Sequence, residues 1–248
     1  MKKQPIESKT SSIVIVPTFN ETENIRDLIT QILQQPISVE VLVVDDKSPD
    51  GTAEVVNEMR TQDKRIHLVI REKREGLGKA YISGFKYALQ QPVDNIITMD
   101  GDFSHDPTYL PDIVQSLDHY EVVIGSRYTP EGGTRNWGWK RRFQSRWANR
   151  YARMMLSLSV HDCTAGFRGY RRNVLETIEY MNVFSNGYSF LVETLYLCSK
   201  RGFNIHEIPI IFVERRAGSS KISKEEIYKG AWHVLKLALT LPFRIQSS

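Results

Sequence analysis

Residues 95–107 read N-I-I-T-M-D-G-D-F-S-H-D-P, and this stretch joins a short apolar run to two carboxylates, Asp100 and Asp102. The apolar run is typical of a buried strand, and the acidic pair falls where that strand meets a loop. A buried carboxylate must be paired with a cation or bound to a metal. Because Mg²⁺ and Mn²⁺ favour a carboxylate or two completed by waters and substrate phosphates, the stretch indicates a metal–diphosphate site. The alternative is a polar turn with an Asp cap before Pro107.

Strand-like and helix-like segments alternate on both sides of this stretch. Four further apolar runs predict strands: S-I-V-I-V-P from Ser12, V-E-V-L-V-V-D-D from Val39, I-H-L-V-I-R from Ile66 and E-V-V-I-G-S-R from Glu121. The first helix is predicted to begin at Glu21, with Asn20 as its cap and Glu23 at the capping-box position. Apolar strands alternating with helices predict an α/β fold, Rossmann-like, whose mostly parallel sheet carries helices on both faces.

Ligands of such a sheet bind beyond the carboxyl ends of its strands. Seven residues with functional or shape-determining side chains fall at those ends: Pro17, Asp45, Asp46, Arg71, Asp100, Asp102 and Arg127. Other nucleotide-binding motifs do not fit. The G-x-G of Gly76–Gly78 follows the third strand and has Tyr81 where a small residue belongs, and no G-x-x-x-x-G-K-[ST] occurs. A dinucleotide-binding or P-loop protein is therefore disfavoured.

Length and composition describe an ordinary globular protein. The 248 residues are 41% apolar and 25% charged, which suffices for one large domain. Cys163 and Cys198 lie far apart in the sequence, so we expect a reducing compartment rather than a disulfide scaffold. The first ten residues lack the apolar core of a signal peptide. No stretch reaches the roughly 18 apolar residues that a membrane-spanning helix needs.

Residues 135–153 form a basic, aromatic segment, R-N-W-G-W-K-R-R-F-Q-S-R-W-A-N-R-Y-A-R. It holds seven Lys or Arg and no acid, whereas the whole chain carries only +4, so the basicity is concentrated in one patch. Aromatic residues recur every four positions with arginines beside them: Trp139, Phe143, Trp147 and Tyr151, flanked by Arg142, Arg146 and Arg150. This composition is typical of helices that lie in a membrane interface. A core-packed helix with a solvated Arg face is the alternative, and single-stranded nucleic acid is disfavoured by the acidic remainder.

Six motifs follow one another along most of the chain. They are V-P-T-F-N-E-T-E-N, V-V-D-D-K-S-P-D-G-T, R-E-K-R-E-G-L-G-K-A, M-D-G-D-F-S-H-D-P, G-S-R-Y and D-C-T-A-G-F-R-G-Y. Together they resemble the dolichol-phosphate (polyprenol-phosphate) mannosyltransferases, which are inverting family 2 glycosyltransferases with the A-type fold, over residues 12–221. Two departures are visible, since Gly101 stands where Ala is usual and Ala165 where Ser is expected. Neither removes a functional group that the chemistry requires.

The resemblance implies a role for each residue at a matching motif position. The expected donor-binding residues are Pro17, Phe19, Glu21, Val44, Asp46, Asp100, Gly101, Asp102, Arg127, Arg215 and Lys221. The expected catalytic residues are Asp100, Asp102 and Arg127. The expected ligands of a Mg²⁺ or Mn²⁺ ion are Asp100, Asp102 and Ser104. The acceptor phosphate is expected at Arg127, Arg141 and Ser145.

The activity implied by the resemblance is transfer of mannose from GDP-mannose to a polyprenyl (dolichyl) monophosphate with inversion. Two alternatives stay open: the same fold with UDP-glucose or a UDP-amino sugar as donor, and a catalytically silent subunit that binds lipid or nucleotide sugar. We expect a peripheral protein at the cytoplasmic face of a membrane, with amphipathic interfacial helices and no nucleic acid partner. Whether a small membrane-anchoring subunit is needed stays open.

The expected organisation is one catalytic domain. Residues 1–11 are predicted to be a flexible tail, residues 12–130 a nucleotide-sugar-binding half, and residues 131–248 an acceptor- and membrane-facing half.

Overall fold

The computed structural model describes residues 10–178, 180–183, 188–214 and 224–244. The strands are β1 (Ser12–Thr18), β2 (Val39–Asp45), β3 (Ile66–Ile70), β4 (Asn95–Thr98), β5 (Val122–Ser126), β6 (Gly133–Arg135), β7 (Arg168–Arg171), β8 (Ile205–Pro209) and β9 (Ile211–Val213). The α-helices are α1 (Ile25–Leu33), α2 (Thr52–Gln62), α3 (Leu77–Ala88), α4 (Leu110–Leu117), α5 (Trp139–Leu156), α6 (Arg172–Thr177), α7 (Tyr188–Lys200) and α8 (Lys224–Arg244).

The main sheet confirms the predicted mostly parallel arrangement. Its strand order is β3-β2-β1-β4-β7-β5-β8, and β7 alone runs antiparallel to its two neighbours, β4 and β5. Because β7 is antiparallel, the residues before it lie at the same edge as the carboxyl ends of β4 and β5. The segment 162–167 is thereby brought beside the loops that follow those two strands. Strands β6 and β9 pair separately as a two-stranded parallel ribbon.

Both faces of the sheet are covered, as continuous apolar strands require. Along β1, Ile13 and Ile15 face one apolar cluster with residues of α3 and α7, while Val14 and Val16 face a second with residues of α1, α2 and α4. Residues of α5 and α8 belong to the first cluster, and the Tyr151 hydroxyl of α5 donates a hydrogen bond to the Ala231 carbonyl of α8 at 3.1 Å. The core therefore fixes α5 and α8 side by side on one face.

The predicted start of the first helix is wrong. Helix α1 begins at Ile25, and Asn20 lies in the left-handed region with φ 62° rather than capping a helix. The backbone N–H of Asn20 donates to Ser48 Oγ, and that of Glu21 donates to Thr52 Oγ1, both at 3.0 Å. These bonds tie the segment after β1 to the loop after β2, so tertiary contacts override the local capping preference.

Packing between α3 and β1 leaves no room for a side chain at Gly84. A Cβ there would lie 2.5 Å from Ile15 Cγ2, whereas a Cβ at Gly138 would meet nothing within 4 Å. We expect Gly84→Ala to lower the free energy of unfolding by about 1–3 kcal/mol, because overpacking outweighs the gain in helix propensity. Urea denaturation measures the effect, with Gly138→Ala as the matched control. Equal stability of the two variants would contradict this packing.

Candidate active site

The last residues of β2 are buried and structural. Val44 is 0% exposed and its side chain packs in the apolar core, and its predicted contact with the donor stays a prediction. Asp45 is equally buried and accepts hydrogen bonds from Thr18 Oγ1 at 2.8 Å, Ser48 Oγ at 2.6 Å and the Ser48 backbone N–H at 2.7 Å. Asp45 therefore ties the ends of β1 and β2 together.

Asp46 is the carboxylate that the end of β2 offers to a pocket. Its Oδ1 accepts from Arg71 Nη1 at 2.6 Å, and both side chains are buried. Arg71 Nη2 also approaches Glu75 Oε2 at 3.3 Å. Burial raises the pKa of the Asp46 carboxyl, against the opposing charge of Arg71. The pair leaves a carboxylate, whose oxygens accept hydrogen bonds, at the edge of the sheet.

The other donor residues predicted near β1 lie beside this pair. Pro17 is the half-buried penultimate residue of β1, and the Phe19 ring lies 4.2 Å from the guanidinium carbon of Arg74. Glu21 is half-buried and accepts from Asn24 Nδ2 at 2.9 Å. These residues surround the end of β1 with an aromatic ring and a carboxylate, which suits a nucleotide.

The acidic loop after β4 is held by His105. The backbone N–H of Asp100 donates to His105 Nδ1 at 3.2 Å, and Ser104 N–H donates to Asp102 Oδ1 at 3.0 Å. Asp102 is buried, whereas the side chain of Asp100 is 30% exposed. Burial lowers the pKa of His105 despite the nearby carboxylates, so a neutral ring braces the loop. Gly101 lies close against β1, where a Cβ would be 3.3 Å from the Pro17 carbonyl.

The oxygen donors of this loop fit a hard divalent cation. Ser104 Oγ is buried and has no hydrogen-bond partner, and it stands two residues from the Asp102 carboxylate. Among the residues that the structure describes, no three His, Cys, Asp or Glu side chains converge as a metal site. The chain thus supplies two carboxylates and a hydroxyl, and an octahedral Mg²⁺ or Mn²⁺ would need water and phosphate oxygens besides.

A tyrosine that the sequence did not single out lies beside Asp100. The Tyr81 hydroxyl is fully buried beside Asp100, and burial, followed by the Asp100 charge, raises its pKa well above the ordinary value. A Cβ added at Gly166 would lie 3.4 Å from Asp100 Oδ1 and 3.6 Å from the Tyr81 hydroxyl. The missing side chain at Gly166 therefore leaves space between the two groups.

Arg127, at the end of β5, is engaged by Asp162. Its Nε and Nη2 donate to the two carboxylate oxygens at 2.7 Å each, its backbone N–H donates to Oδ2 at 3.1 Å, and Nη2 also donates to Thr164 Oγ1 at 2.8 Å. Burial opposes ionisation of Asp162, but the charge and hydrogen bonds of Arg127 outweigh it and hold the pKa of that carboxyl below its ordinary value. Asp162 therefore occupies the Nε–Nη2 edge of the guanidinium, and the predicted contact from Arg127 to a phosphate stays a prediction.

Phe212 of β9 joins the acidic loop to Arg127. Its ring centroid lies 5.2 Å from that of His105 and 5.5 Å from the guanidinium carbon of Arg127. The backbone N–H of Val213 donates to the Ser104 carbonyl at 3.1 Å, which fastens β9 to the loop. The Phe212 ring thus lies beside both the acidic loop after β4 and the Arg127 guanidinium.

The predicted acceptor residues meet Arg127 through two further rings. The Tyr128 hydroxyl donates to Ser145 Oγ at 2.7 Å, and the Tyr128 ring lies 5.4 Å from the Arg127 guanidinium. The Trp137 ring lies 5.5 Å from the Arg127 guanidinium and 4.1 Å from that of Arg141. The structure therefore brings Arg127, Arg141 and Ser145 into one neighbourhood. Neither ring was singled out as a site residue, because each was interpreted only as part of a motif or patch.

Two predicted donor residues, Arg215 and Lys221, lie outside the described residues. The described segment that precedes them ends at Glu214, whose Oε1 accepts from Arg141 Nη1 at 2.8 Å. Glu214 therefore lies beside the predicted acceptor residues.

Comparison with known proteins places this arrangement in a family. Residues 13–179 match the model of glycosyl transferase family 2. The chain belongs to this family. It is 40% identical over 225 residues to the polyprenol monophosphomannose synthase of Mycolicibacterium smegmatis, covering 90% of this chain and 85% of that protein. It is 38% identical over 211 residues to the undecaprenyl-phosphate mannosyltransferase of Micrococcus luteus, covering 85% of this chain and 87% of that protein.

Solved structures of other glycosyltransferases share the fold. Glucosyl-3-phosphoglycerate synthase from Mycobacterium tuberculosis in complex with UDP aligns with a TM-score of 0.66 at 18% identity, over 92% of this chain and 80% of that one. A structure of the same enzyme with Mn²⁺, UDP and glucosyl-3-phosphoglycerate aligns at 0.63 and 20% identity, over 93% and 78%. These likenesses confirm the predicted fold class of this family 2 glycosyltransferase.

Replacing Asp162, the partner of Arg127, tests whether the buried ion pair stabilises the folded protein. We expect Asp162→Asn to lower the free energy of unfolding at neutral pH by about 3–5 kcal/mol, because it leaves a buried cation uncompensated. The exposed pair of Asp63 and Arg65, 2.7 Å apart, supplies the control, since Asp63→Asn should cost about 1 kcal/mol or less. Denaturant unfolding measures both.

The same pair has a defined pH dependence. Because the folded-state pKa of Asp162 is lowered, its contribution is present above the ordinary value of 3.8 and is lost as the pH falls through the lowered pKa. The difference in stability between wild type and Asp162→Asn should therefore shrink on acidification. A difference that does not change with pH would contradict the pairing.

Proposed function

We propose that this family 2 glycosyltransferase moves mannose from GDP-mannose to a polyprenyl monophosphate with inversion at the anomeric carbon. The observation that carries the proposal is the similarity, over 85–90% of the chain, to two proteins named for joining mannose to a polyprenol phosphate. The edge of the sheet supports it with separate acidic and basic clusters.

The acidic loop is the proposed donor side. Asp100, Asp102 and Ser104 would hold Mg²⁺ or Mn²⁺ against the diphosphate, and a bound cation there supplies charge neutralisation for the leaving GDP. Asp46 would accept hydrogen bonds from the ribose or the base, with Phe19 and Glu21 beside it. In this proposal Arg215 and Lys221 contribute cations to the donor phosphates.

The basic cluster is the proposed acceptor side. A phosphate monoester carries between one and two negative charges at neutral pH, with a second pKa near about 6, so its oxygen attacks without a general base. The task of the chain is then to hold two anionic groups close together, which positioned cations achieve. Arg141 and the Arg127 neighbourhood would supply those cations, and Ser145 a hydrogen bond. A single displacement from the α-linked donor gives a β-linked mannosyl phosphate.

The surface of α5 supports contact with a membrane. Trp139 and Phe143 are 71% and 67% exposed and Trp147 is half exposed, whereas Tyr151 packs against the core. The exposed first part of the aromatic stripe supports the interfacial interpretation. Helix α8 packs beside α5 and exposes Trp232. In the part of the chain that the structure describes, no helix has the length and hydrophobicity to cross a bilayer. We place the enzyme at the cytoplasmic face of a membrane, held by these helices or by a small anchoring subunit.

Removal of one carboxylate tests the proposed cation site. We expect Asp102→Asn to abolish transfer, by a factor of about 10² or more, because a ligand that neutralises charge in the transition state is lost. A chelator should reproduce the effect on the wild type. Asp106→Asn is the control, since Asp106 is exposed on the same loop and caps the 3₁₀ turn at Pro107–Tyr109. Full activity of Asp102→Asn, or of the wild type in excess chelator, would remove the cation from the proposal.

Donor identity is tested by ligand-induced stabilisation. With Mg²⁺ or Mn²⁺ present, GDP-mannose should raise the melting temperature, because a ligand that binds the native state alone stabilises it by mass action. UDP-glucose and UDP-amino sugars should raise it less. A larger shift with a UDP-sugar would favour the alternative donor class, and stabilisation by GDP-mannose without turnover would favour a silent subunit.

The acceptor residues are tested by separating the two Michaelis constants. Arg141→Ala and Ser145→Ala should raise the apparent constant for polyprenyl phosphate about tenfold, the scale of one lost charge-assisted hydrogen bond, with that for GDP-mannose little changed. Arg142→Ala removes a neighbouring charge from an exposed position of α5 and serves as control. An equal rise in both constants for the two test variants would place these residues on the donor side.

A further inference from the structure

A second cleft, of about 700 Å³, opens between α5 and the chain that follows β5. Its basic lining residues are Arg127, Arg146, Arg150, Arg153 and His161, and no Asp or Glu lines it. Neither the proposed donor side nor the Arg141 and Ser145 pair accounts for this concentration of arginines.

Three of these arginines have no acidic partner in the described residues. Arg146, Arg150 and Arg153 form no ion pair there, whereas Arg141 of the same helix pairs with Glu214. Arg153 Nε is buried without a hydrogen-bond partner, and so is Thr129 Oγ1 on the opposite wall. A buried donor without an acceptor lowers the stability of the fold. An anion with several oxygen atoms would supply the missing acceptors.

Nearby carboxylates are committed to other groups. Asp162 is taken up by Arg127, as described above. Glu207 accepts from the backbone N–H groups of His161 and Asp162 at 2.7 and 2.9 Å, and its Oε2 lies 2.9 Å from His161 Nδ1. Asp162 and Glu207 are thus paired with Arg127 and His161 of the lining. The charges left without a described acidic partner are those of Arg146, Arg150 and Arg153.

The outer wall of the cleft is apolar and exposed. Met154 lines the cleft and is 71% exposed. On a helix, positions three and four apart share a face, so the arginines of 146, 150 and 153 run alongside Met154 and the exposed Phe143 and Trp147. A ligand with a phosphate in the cleft could lay an apolar chain over this ridge.

We propose that the cleft binds the phosphate of an anionic bilayer phospholipid that does not react, and thereby seats α5 at the membrane. The proposal rests on the membrane contact proposed above and adds a defined lipid site to it. Guanidinium groups suit the task because they bind phosphate bidentately and are weakly hydrated. The occupant is assigned as phospholipid rather than the reacting acceptor because Arg141 and Ser145, the proposed acceptor residues of α5, do not line the cleft.

The test compares two double variants that each remove two positive charges from exposed positions of α5. Arg146→Ala/Arg150→Ala changes the cleft, and Lys140→Ala/Arg142→Ala changes positions that do not line it. Sedimentation with vesicles measures binding, using phosphatidylcholine alone or with about one third phosphatidylglycerol. Because both variants lose a similar diffuse attraction to the anionic surface, the cleft variant should bind the mixed vesicles about tenfold more weakly than the control variant at about 0.15 M salt.

Each other outcome has a defined meaning. Equal losses in the two double variants would overturn the site and leave only diffuse charge attraction. Equal wild-type binding to both vesicle types would also overturn it, while leaving the membrane contact standing. Failure of the wild type to bind either vesicle would remove the membrane contact itself.

A turnover assay in detergent micelles separates the phospholipid from the acceptor. With a short polyprenyl phosphate and no bilayer, the cleft variant should keep the wild-type rate and Michaelis constant. A raised Michaelis constant for the acceptor in that variant would overturn the proposal, since the cleft would then hold the reacting lipid. A melting temperature equal to that of wild type verifies that the variant is folded.

Discussion

The buried ion pair between Arg127 and Asp162 is the interaction on which the site depends. It joins the end of β5 to the segment before β7, across 35 positions of sequence, and it lies where the rings of Tyr128, Trp137 and Phe212 converge. Burying two charges is favourable only when geometry and hydrogen bonding are good, and here both carboxylate oxygens accept. Without Asp162, the Arg127 guanidinium would not be held in a fixed position against these three rings.

Other buried charges at the same edge follow the same rule. Asp45 is satisfied by hydroxyl and amide donors, and Asp46 by Arg71. Asp102 and Ser104 differ, because their loop is braced by neutral His105 and one of its hydroxyls has no partner. Asp45 acts within the scaffold, whereas Asp46, although paired with Arg71, and Ser104, whose hydroxyl has no partner, belong to the proposed donor side. This division explains how an edge so rich in carboxylates is compatible with a stable fold.

Much of the fold could be predicted from local pattern. Continuous apolar runs predict β1 to β5, and their alternation with helices predicts a mostly parallel sheet. Strand β7 is not predicted by this pattern, because it is short and begins with Arg168. The Arg168 side chain is fully buried and donates to the Ala165, Cys163 and Leu191 carbonyls. An arginine satisfied by backbone carbonyls carries no hydrophobic signal, and antiparallel insertion between β4 and β5 depends on pairing that no local window contains.

The residues of the candidate site could be predicted from the sequence, but the groups with which each of them pairs could not. Positions at strand ends located Asp46, Asp102 and Arg127 correctly, since a parallel sheet collects its carboxyl ends at one edge. Which groups are paired there depends on residues distant in sequence, so the partner Asp162 and the core position of Val44 became visible only in three dimensions. The exposure of the α5 rings likewise depends on which face the core takes.

Product analysis of a single reaction tests the central claim most directly. The purified chain would be incubated with Mg²⁺, a polyprenyl monophosphate and GDP-mannose labelled in the sugar. We expect label in the lipid phase as a β-linked mannosyl phosphate, with GDP released in equal amount. An α-linked product, or transfer from UDP-glucose with GDP-mannose inert, would contradict the proposed function.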